Sequence, residues 1–319
     1  MTGSDGAARQ LLDPRKFRDP HVTADGVERA VVALTRLTTV WFNTGSLCNI
    51  TCVNCYMDSS PTNDSLAYLT LAEVRNYLDE IAAERLPVEE IAFTGGEPFM
   101  NRDLPGMIDE SLARGHRVLV LTNAMKPMLN KRRRLLDIRR RHGTALTLRA
   151  SIDHFTQGRH ETVRGPGSWA PMIEGVKWLA ENDFAVAVAG RTCWNESEAD
   201  SRRGYAELFA REGIPVDAFD PARLVLFPEM DAGADVPEIT IHCWDILGVA
   251  PETMMCANSR MVIKRRGAAA PVVVPCTLLP YDPAFELGRE LTQAAKPVQL
   301  NHPHCAKFCV LGGASCSPA

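Results

Sequence analysis

From residue 39 onward, short apolar runs alternate with longer amphipathic stretches. The runs TVWFNTGS (39–46), EEIAFTG (89–95), RVLVLTN (117–123), ALTLRAS (145–151), FAVAVAG (184–190) and RLVLFP (223–228) read as strands. Between them, residues 70–85, 103–115, 129–142, 169–182 and 198–212 read as helices. The clearest is 70–85, where Thr70 and Glu73 form a capping box and Leu71, Val74, Leu78 and Ile81 line one face. Six strands alternating with helices predict a parallel sheet with right-handed crossovers, either open and doubly wound or closed into a partial TIM-like barrel. In both, ligands bind at the C-terminal ends of the strands. The residues just after each strand therefore carry the chemistry.

The rhythm is absent at both ends. Residues 1–38 read as a variable leader with some helix, and 231–240, DAGADVPEIT, as a linker. Residues 254–279 read as two strands around a turn containing Gly267, followed by a short helix at about 285–296 and a cysteine-rich tail. No internal repeat or low-complexity segment interrupts the chain.

Composition changes little in this picture. Of 319 residues, 45% are hydrophobic and 23% charged, with a net charge of −4 and a pI of about 6.1. That balance gives no global attraction to nucleic acid or to a membrane surface. The basic run KRRRLLDIRRRH (131–142) spreads its charges helically around Leu135, Leu136 and Ile138, as a solvated outer face does. The N-terminal residues lack the apolar core of a signal peptide, and no apolar run approaches a membrane span. The expectation is a cytoplasmic protein.

The ten cysteines do change the picture. In a reducing compartment, clustered thiols bind metal or react rather than forming structural disulfides. Cys48, Cys52 and Cys55 lie within eight residues just after the first strand. Cys243, Cys256, Cys276, Cys305, Cys309 and Cys316 crowd the last quarter, and Cys193 stands apart. Two separate metal sites are the simplest reading. Zinc usually takes four protein ligands arranged as two separated pairs. Three thiolates in one loop, with no fourth Cys or His nearby, suit a four-iron cluster in which one iron keeps an open position.

Cys48-x-x-x-Cys52-x-x-Cys55 after a first strand resembles the signature of the radical S-adenosylmethionine (radical SAM) superfamily. The second strand ends in Gly95, Gly96, Glu97 and Pro98, which resemble that family's GGEP motif. There the backbone and the acidic side chain receive the amino group of the cofactor. Two glycines allow close approach to a ligand, and a carboxylate pairs with an ammonium. RASIDHF ends the fourth strand, and the resemblance places Ser151 and Asp153 at the ribose. HETVRGPGSW (160–169) is similar to the following segment in the SPASM/twitch branch, which implies that Arg164 binds the cofactor carboxylate, against the plainer reading of a surface arginine on a loop. Asn123, Arg191 and Asn195 follow strands three and five as weaker candidates, and Tyr56 matches the branch pattern. One position departs: relatives carry an aromatic residue or histidine where this chain has Asn54.

The resemblance implies an α/β fold: a partial TIM-like (β/α)6 radical SAM barrel over 39–230, with a small C-terminal cysteine-rich, twitch-like domain over 241–319. It implies a 4Fe–4S cluster on Cys48, Cys52 and Cys55, bound S-adenosylmethionine, and an auxiliary 4Fe–4S cluster held by Cys256, Cys276, Cys305 and Cys309, with Cys316 as the replacement ligand. Structural zinc in the tail is the alternative, since four thiolates also suit zinc. Cys243 could be a ligand, a reactive thiol or a buried apolar residue. Cys193 is a candidate hydrogen-atom donor, against the plainer reading of a small buried hydrophobe. The resemblance further implies an electron donor such as flavodoxin or ferredoxin, and a substrate radical formed by hydrogen abstraction. The short leader favours a small-molecule substrate over a peptide, with peptide maturation as the alternative. From another class, a non-catalytic iron–sulfur sensor or scaffold would have little use for the cofactor-binding residues.

Overall fold

Alternation of apolar residues decides which face of each strand meets helices and which meets the interior. In the computed structural model, which describes residues 10–229, 231 and 233–314, the six strand runs form β2 (Thr39–Asn43), β3 (Glu90–Thr94), β4 (Arg117–Thr122), β5 (Leu146–Ser151), β6 (Ala185–Arg191) and β7 (Leu224–Phe227). They pair in sequence order and in parallel, as βαβ crossovers require. Val40, Phe42, Ile91, Phe93, Val118 and Val120 face the helices, whereas Trp41, Ala92 and Leu119 join an interior cluster.

The outer layer consists of α1 (Leu71–Ala83), α2 (Leu104–Ala113), α3 (Lys126–Leu129), α4 (Arg132–His142), α5 (Gln157–Arg164), α6 (Trp169–Glu181) and α7 (Glu198–Glu212). The Thr70–Glu73 capping box is present, and Val74, Leu78 and Ile81 are buried as the periodicity predicts. Helix α5 was not read from the sequence; it covers the segment containing Arg164, so that residue ends a helix rather than lying on a loop. In α4 only Leu135 and Ile138 are buried, and the basic residues surround them.

Beyond residue 231 the structure departs from the expected separate tail. A short helix α8 (Cys243–Leu247) leads to the hairpin β8 (Ser259–Ile263) and β9 (Val272–Val274). Strand β8 pairs in parallel with β2, so the sheet has eight strands in the order β7-β6-β5-β4-β3-β2-β8-β9. The tail side chains Met254, Met255, Cys256 and Leu278 pack in one cluster with Trp41, Ala92 and Leu119. The expected helix over 285–296 is absent: this stretch is turns around Gly288, whose φ of +149° is closed to other residues.

Described leader residues 10–38 contain no helix either. They are tied down by β1 (Val31–Val32), which pairs with β10 (Val298–Gln299), and by the buried Arg29–Glu238 ion pair, which anchors the expected linker. Among the described residues, no helix is long and apolar enough to cross a membrane.

Candidate functional site

The loop from Thr44 to Leu69 is long, and its backbone is fixed from several sides. Cys48 N–H donates to Ser60 O at 3.0 Å, Val53 N–H to Val163 O of α5 at 2.8 Å, and Ser46 N–H to Leu66 O at 3.1 Å. The glycine turn after β3 docks on the same loop: Gly96 N–H donates to Gly45 O at 2.9 Å and Glu97 N–H to Leu47 O at 3.1 Å. This close approach needs glycine. A Cβ on Gly96 would lie 2.2 Å from Leu47 O and 2.5 Å from Leu47 C, both backbone atoms that cannot rotate away. Gly96→Ala is therefore expected to cost about 1–3 kcal/mol of stability and to lower iron retention by the loop. Gly158→Ala, where a Cβ meets nothing within 4 Å, is the matched control. Equal urea midpoints and iron contents for the two variants would contradict the assigned packing.

Cys48, Cys52 and Cys55 line one cavity of about 800 Å³ with Tyr56, Gly95, Gly96, Asn123, Ser151, Asp153, Arg164 and Arg191. The thiols and Tyr56 come from the loop after β2, Arg164 from the end of α5, and the others from the ends of β3, β4, β5 and β6, as predicted for a parallel sheet. Burial pushes the Cys48 thiol up to about 12 and raises Cys52, so neither thiol would ionise readily without a metal. Asn123 Nδ2 reaches Cys48 Sγ at 4.0 Å and Ser59 N–H reaches Cys55 Sγ at 3.5 Å. Such N–H···S contacts support thiolates that bind metal. Soft thiol donors fit an iron–sulfur cluster.

Beside the thiols lies a buried charge constellation. Asp153 accepts from Arg164 Nε at 2.7 Å and Nη2 at 3.2 Å, while Arg191 Nε lies 3.5 Å away. Burial alone would raise Asp153, but Arg164 and Arg191 more than offset it and hold the carboxyl below its usual range. Arg191 also donates to Val53 O at 3.1 Å and lies over the Tyr56 ring at 4.8 Å. The Tyr56 hydroxyl in turn donates to Pro228 O at 2.9 Å. Thus Asp153 joins α5, β6 and the cysteine loop.

Three predicted residues sit elsewhere. Glu97 is 1% exposed and points under the cavity, accepting from Phe99 N at 3.1 Å, Thr122 Oγ1 at 2.9 Å and Asn123 N at 2.8 Å. Burial lifts its carboxyl to about 7 against those three donors. Cys193 and Asn195 do not line the cavity. Asn54 has an explanation of its own: its φ is +49°, a left-handed conformation that Asn tolerates better than most residues, and its amide donates to Glu229 at 3.0 Å. Thr122 and Phe227 line the cavity unpredicted, although both end strands and the same positional rule reaches them.

A second, much smaller cavity is lined by Cys256, Cys276, Cys305 and Cys309 with Met254, Leu278 and Leu300 among its apolar neighbours. One π-helical turn, Cys305–Val310, carries the last two thiols four residues apart. Burial pushes Cys256 up to about 11, and burial with the neighbouring Cys276 and Cys256 drives Cys305 well above the ordinary thiol range. Cys243 lies outside this cavity and accepts from Thr240 N at 3.3 Å. Cys316 lies outside the described residues.

A partial parallel barrel with three thiols after its first barrel strand and glycines after its second defines a class of cluster-binding proteins. Residues 42–200 match the Radical SAM superfamily, and the chain carries a radical SAM domain. It is 27% identical over 143 residues to the antilisterial bacteriocin subtilosin biosynthesis protein AlbA of Bacillus subtilis, covering 44% of this chain and 30% of that one. It is 28% identical over 139 residues to GTP 3′,8-cyclase of Tolumonas auensis, covering 43% and 39%. The chain thus spans about a third of the length of these curated relatives. Among solved structures, SuiB of Streptococcus suis bound to S-adenosylmethionine superimposes with a TM-score of 0.58 at 10% identity, over 80% of this chain and 63% of that one. SuiB bound to its precursor peptide SuiA gives 0.57 at 10% identity, over 83% and 66%.

Proposed function

We propose that this protein is a radical SAM enzyme that modifies a polypeptide and carries a second cluster in its tail. The carrying observation is that Cys48, Cys52 and Cys55 share one cavity with polar residues from four successive strand ends. These thiols would hold a 4Fe–4S cluster with one iron left for the amino and carboxylate groups of S-adenosylmethionine. When bound, cluster and cofactor supply a 5′-deoxyadenosyl radical for hydrogen abstraction. Gly95 and Gly96 let a ligand approach the backbone, Ser151 offers a hydroxyl for a ribose, and Arg164 and Arg191 supply positive charge beside the thiols. Tyr56 and Phe227, ring centroids 5.9 Å apart, give the cavity an aromatic wall.

Support for a polypeptide substrate comes from an open groove lined by Cys52, Cys55 and Tyr56 on the loop and by Tyr281, His302 and His304 on the tail. Among the curated relatives, the bacteriocin biosynthesis protein points the same way. The four tail thiols line one small cavity, which supports reading them as the ligands of an auxiliary cluster. An electron donor of the flavodoxin or ferredoxin type completes the system.

The test is anaerobic reconstitution with iron and sulfide, then reduction with dithionite in the presence of S-adenosylmethionine. Release of 5′-deoxyadenosine, rising when a substrate peptide is added, is the expected result. No 5′-deoxyadenosine from a preparation with its full iron content would overturn the assignment.

A further inference from the structure

The basic run that reads in sequence as one solvated face is two different surfaces in the fold. Its C-terminal half is neutralised: Arg139 Nε donates to Asp183 O at 2.8 Å, Arg140 pairs with Asp137, and Arg141 pairs with Asp109 at 2.6 Å. Its N-terminal half is not. Among the described residues, no carboxylate pairs with Lys126, Lys131, Arg132, Arg133 or Arg134, and Arg132 Nε donates to Leu129 O at 2.9 Å. Residues 122–136 contain no Asp or Glu. Lys126, Arg132, Arg133 and Arg134 are exposed, and Lys131–Arg134 line one surface concavity with Leu129 and Asn130. In a chain of net charge −4 this is a sharp local excess of positive charge. Helix stability does not account for it. The first turn of α4 has no acidic residue, so these cations oppose the helix dipole instead of complementing it.

Connectivity places the patch. Helix α4 runs from the C-terminal end of β4 back to the start of β5, so its first turn lies on the rim that carries the thiols and its last turn near the opposite rim. Hydrogen bonds tie the intervening turn to the cysteine loop. Asn123 Nδ2 reaches Cys48 Sγ at 4.0 Å and donates to Asn49 Oδ1 at 2.9 Å, while Asn123 Oδ1 accepts from Met125 N at 3.0 Å. Asn49 Nδ2 reaches Met125 Sδ at 3.9 Å, and Lys126 follows directly. The open groove lies on the other flank of the loop, lined by Cys52 and Cys55 but not by Cys48. We propose that Lys126, Lys131, Arg132, Arg133 and Arg134 form the docking surface for an acidic one-electron carrier protein, on the Cys48 flank and clear of the groove. This rests on reading the three thiols as an iron–sulfur site. In the step it serves, the reduced carrier loses one electron and the cluster gains it, and no bond forms or breaks. Charge complementarity of this kind acts mainly on encounter, making association fast and salt-dependent. A nucleic acid is the poorer fit, because the unpaired positive surface stops at Arg134 instead of continuing as a stripe along α4.

The test compares the reconstituted full chain with a patch variant combining Lys131→Gln, Arg133→Gln and Arg134→Gln. A control variant combines Arg36→Gln, Arg85→Gln and Arg117→Gln, exposed residues at the opposite ends of the strands, for the same change in net charge. The probes are an acidic flavodoxin, an acidic ferredoxin and a short single-stranded RNA. Calorimetry gives binding of the oxidised carriers, and stopped flow gives the rate of cluster reduction by the photoreduced carriers, each at low and at physiological salt. The expected result is that a carrier binds the parent and the control variant alike. The patch variant should associate about tenfold more slowly or worse at low salt, with a flattened salt dependence. Product formation with dithionite, which needs no docking, should stay at the parental level in both variants. Failure of both carriers to bind the parent at low salt overturns the proposal, as does equal weakening in the patch and control variants. Patch-dependent binding of the RNA without carrier binding also overturns it and assigns the surface to nucleic acid. Patch-dependent carrier binding by a protein that forms no 5′-deoxyadenosine with dithionite supports the docking surface and removes the radical reading, which separates the two failures.

Discussion

Alanine at Cys48, Cys52 and Cys55 together should reduce 5′-deoxyadenosine formation to the level seen without enzyme and remove about four of about eight irons per chain. No other described thiol can substitute, because these three are the cysteines that line the first cavity, and Cys193 does not. The loop should survive the change. Its shape rests on backbone hydrogen bonds from Cys48 to Ser60, from Val53 to Val163 and from Asp58 to Cys55 carbonyl, none of which needs a sulfur atom. Iron analysis, circular dichroism and product quantification on the same preparation separate loss of the cluster from loss of the fold. Cofactor cleavage that persists in the folded triple variant would remove the assigned site.

Asp153→Ala should be the most damaging single substitution at the site, costing about 3–5 kcal/mol because it strands two buried guanidinium groups. The Asp153, Arg164 and Arg191 side chains are 4%, 13% and 6% exposed, so water replaces the carboxylate only poorly. The effect should spread to function, since Arg191 also holds Val53 O and the Tyr56 ring and so positions the cysteine loop. A pH signature distinguishes this from loss of packing. The folded-state pKa of Asp153 lies below its unfolded value, so its contribution is complete above the unfolded carboxylate pKa of about 3.9. It is lost as pH falls through the depressed folded value. Urea midpoints should therefore fall in acid for the native chain and fall less steeply for Asp153→Ala. A variant with the native midpoint at neutral pH would mean that the triad is not coupled to folding.

Much of this was written locally. The alternation in residues 39–43 and 90–94, the capping box at Thr70 and the spacing of Cys48, Cys52 and Cys55 are short-range patterns, and each appears where the chain alone predicts it. Strand ends were legible for the same reason: a parallel sheet places the residue after each strand on one rim, so Asn123, Ser151 and Arg191 could be gathered before any coordinates. What the sequence could not decide were the long-range choices. Nothing in SRMVI states that β8 will lie parallel to β2, because pairing depends on which edge is open once the barrel strands have assembled. The apolar residues near 285–296 suggest a helix, yet Leu287, Leu291 and Ala294 reach the core through turns, and Arg260 takes the carbonyls of Ala294 and Lys296. Charges behave likewise. Asp153, Arg164, Arg191 and Arg260 are polar letters in the sequence. Only tertiary burial makes three of them an interlocked triad and leaves the fourth a buried cation among carbonyls, because the cost of an ion is set by the water and partners around it rather than by its neighbours in the chain.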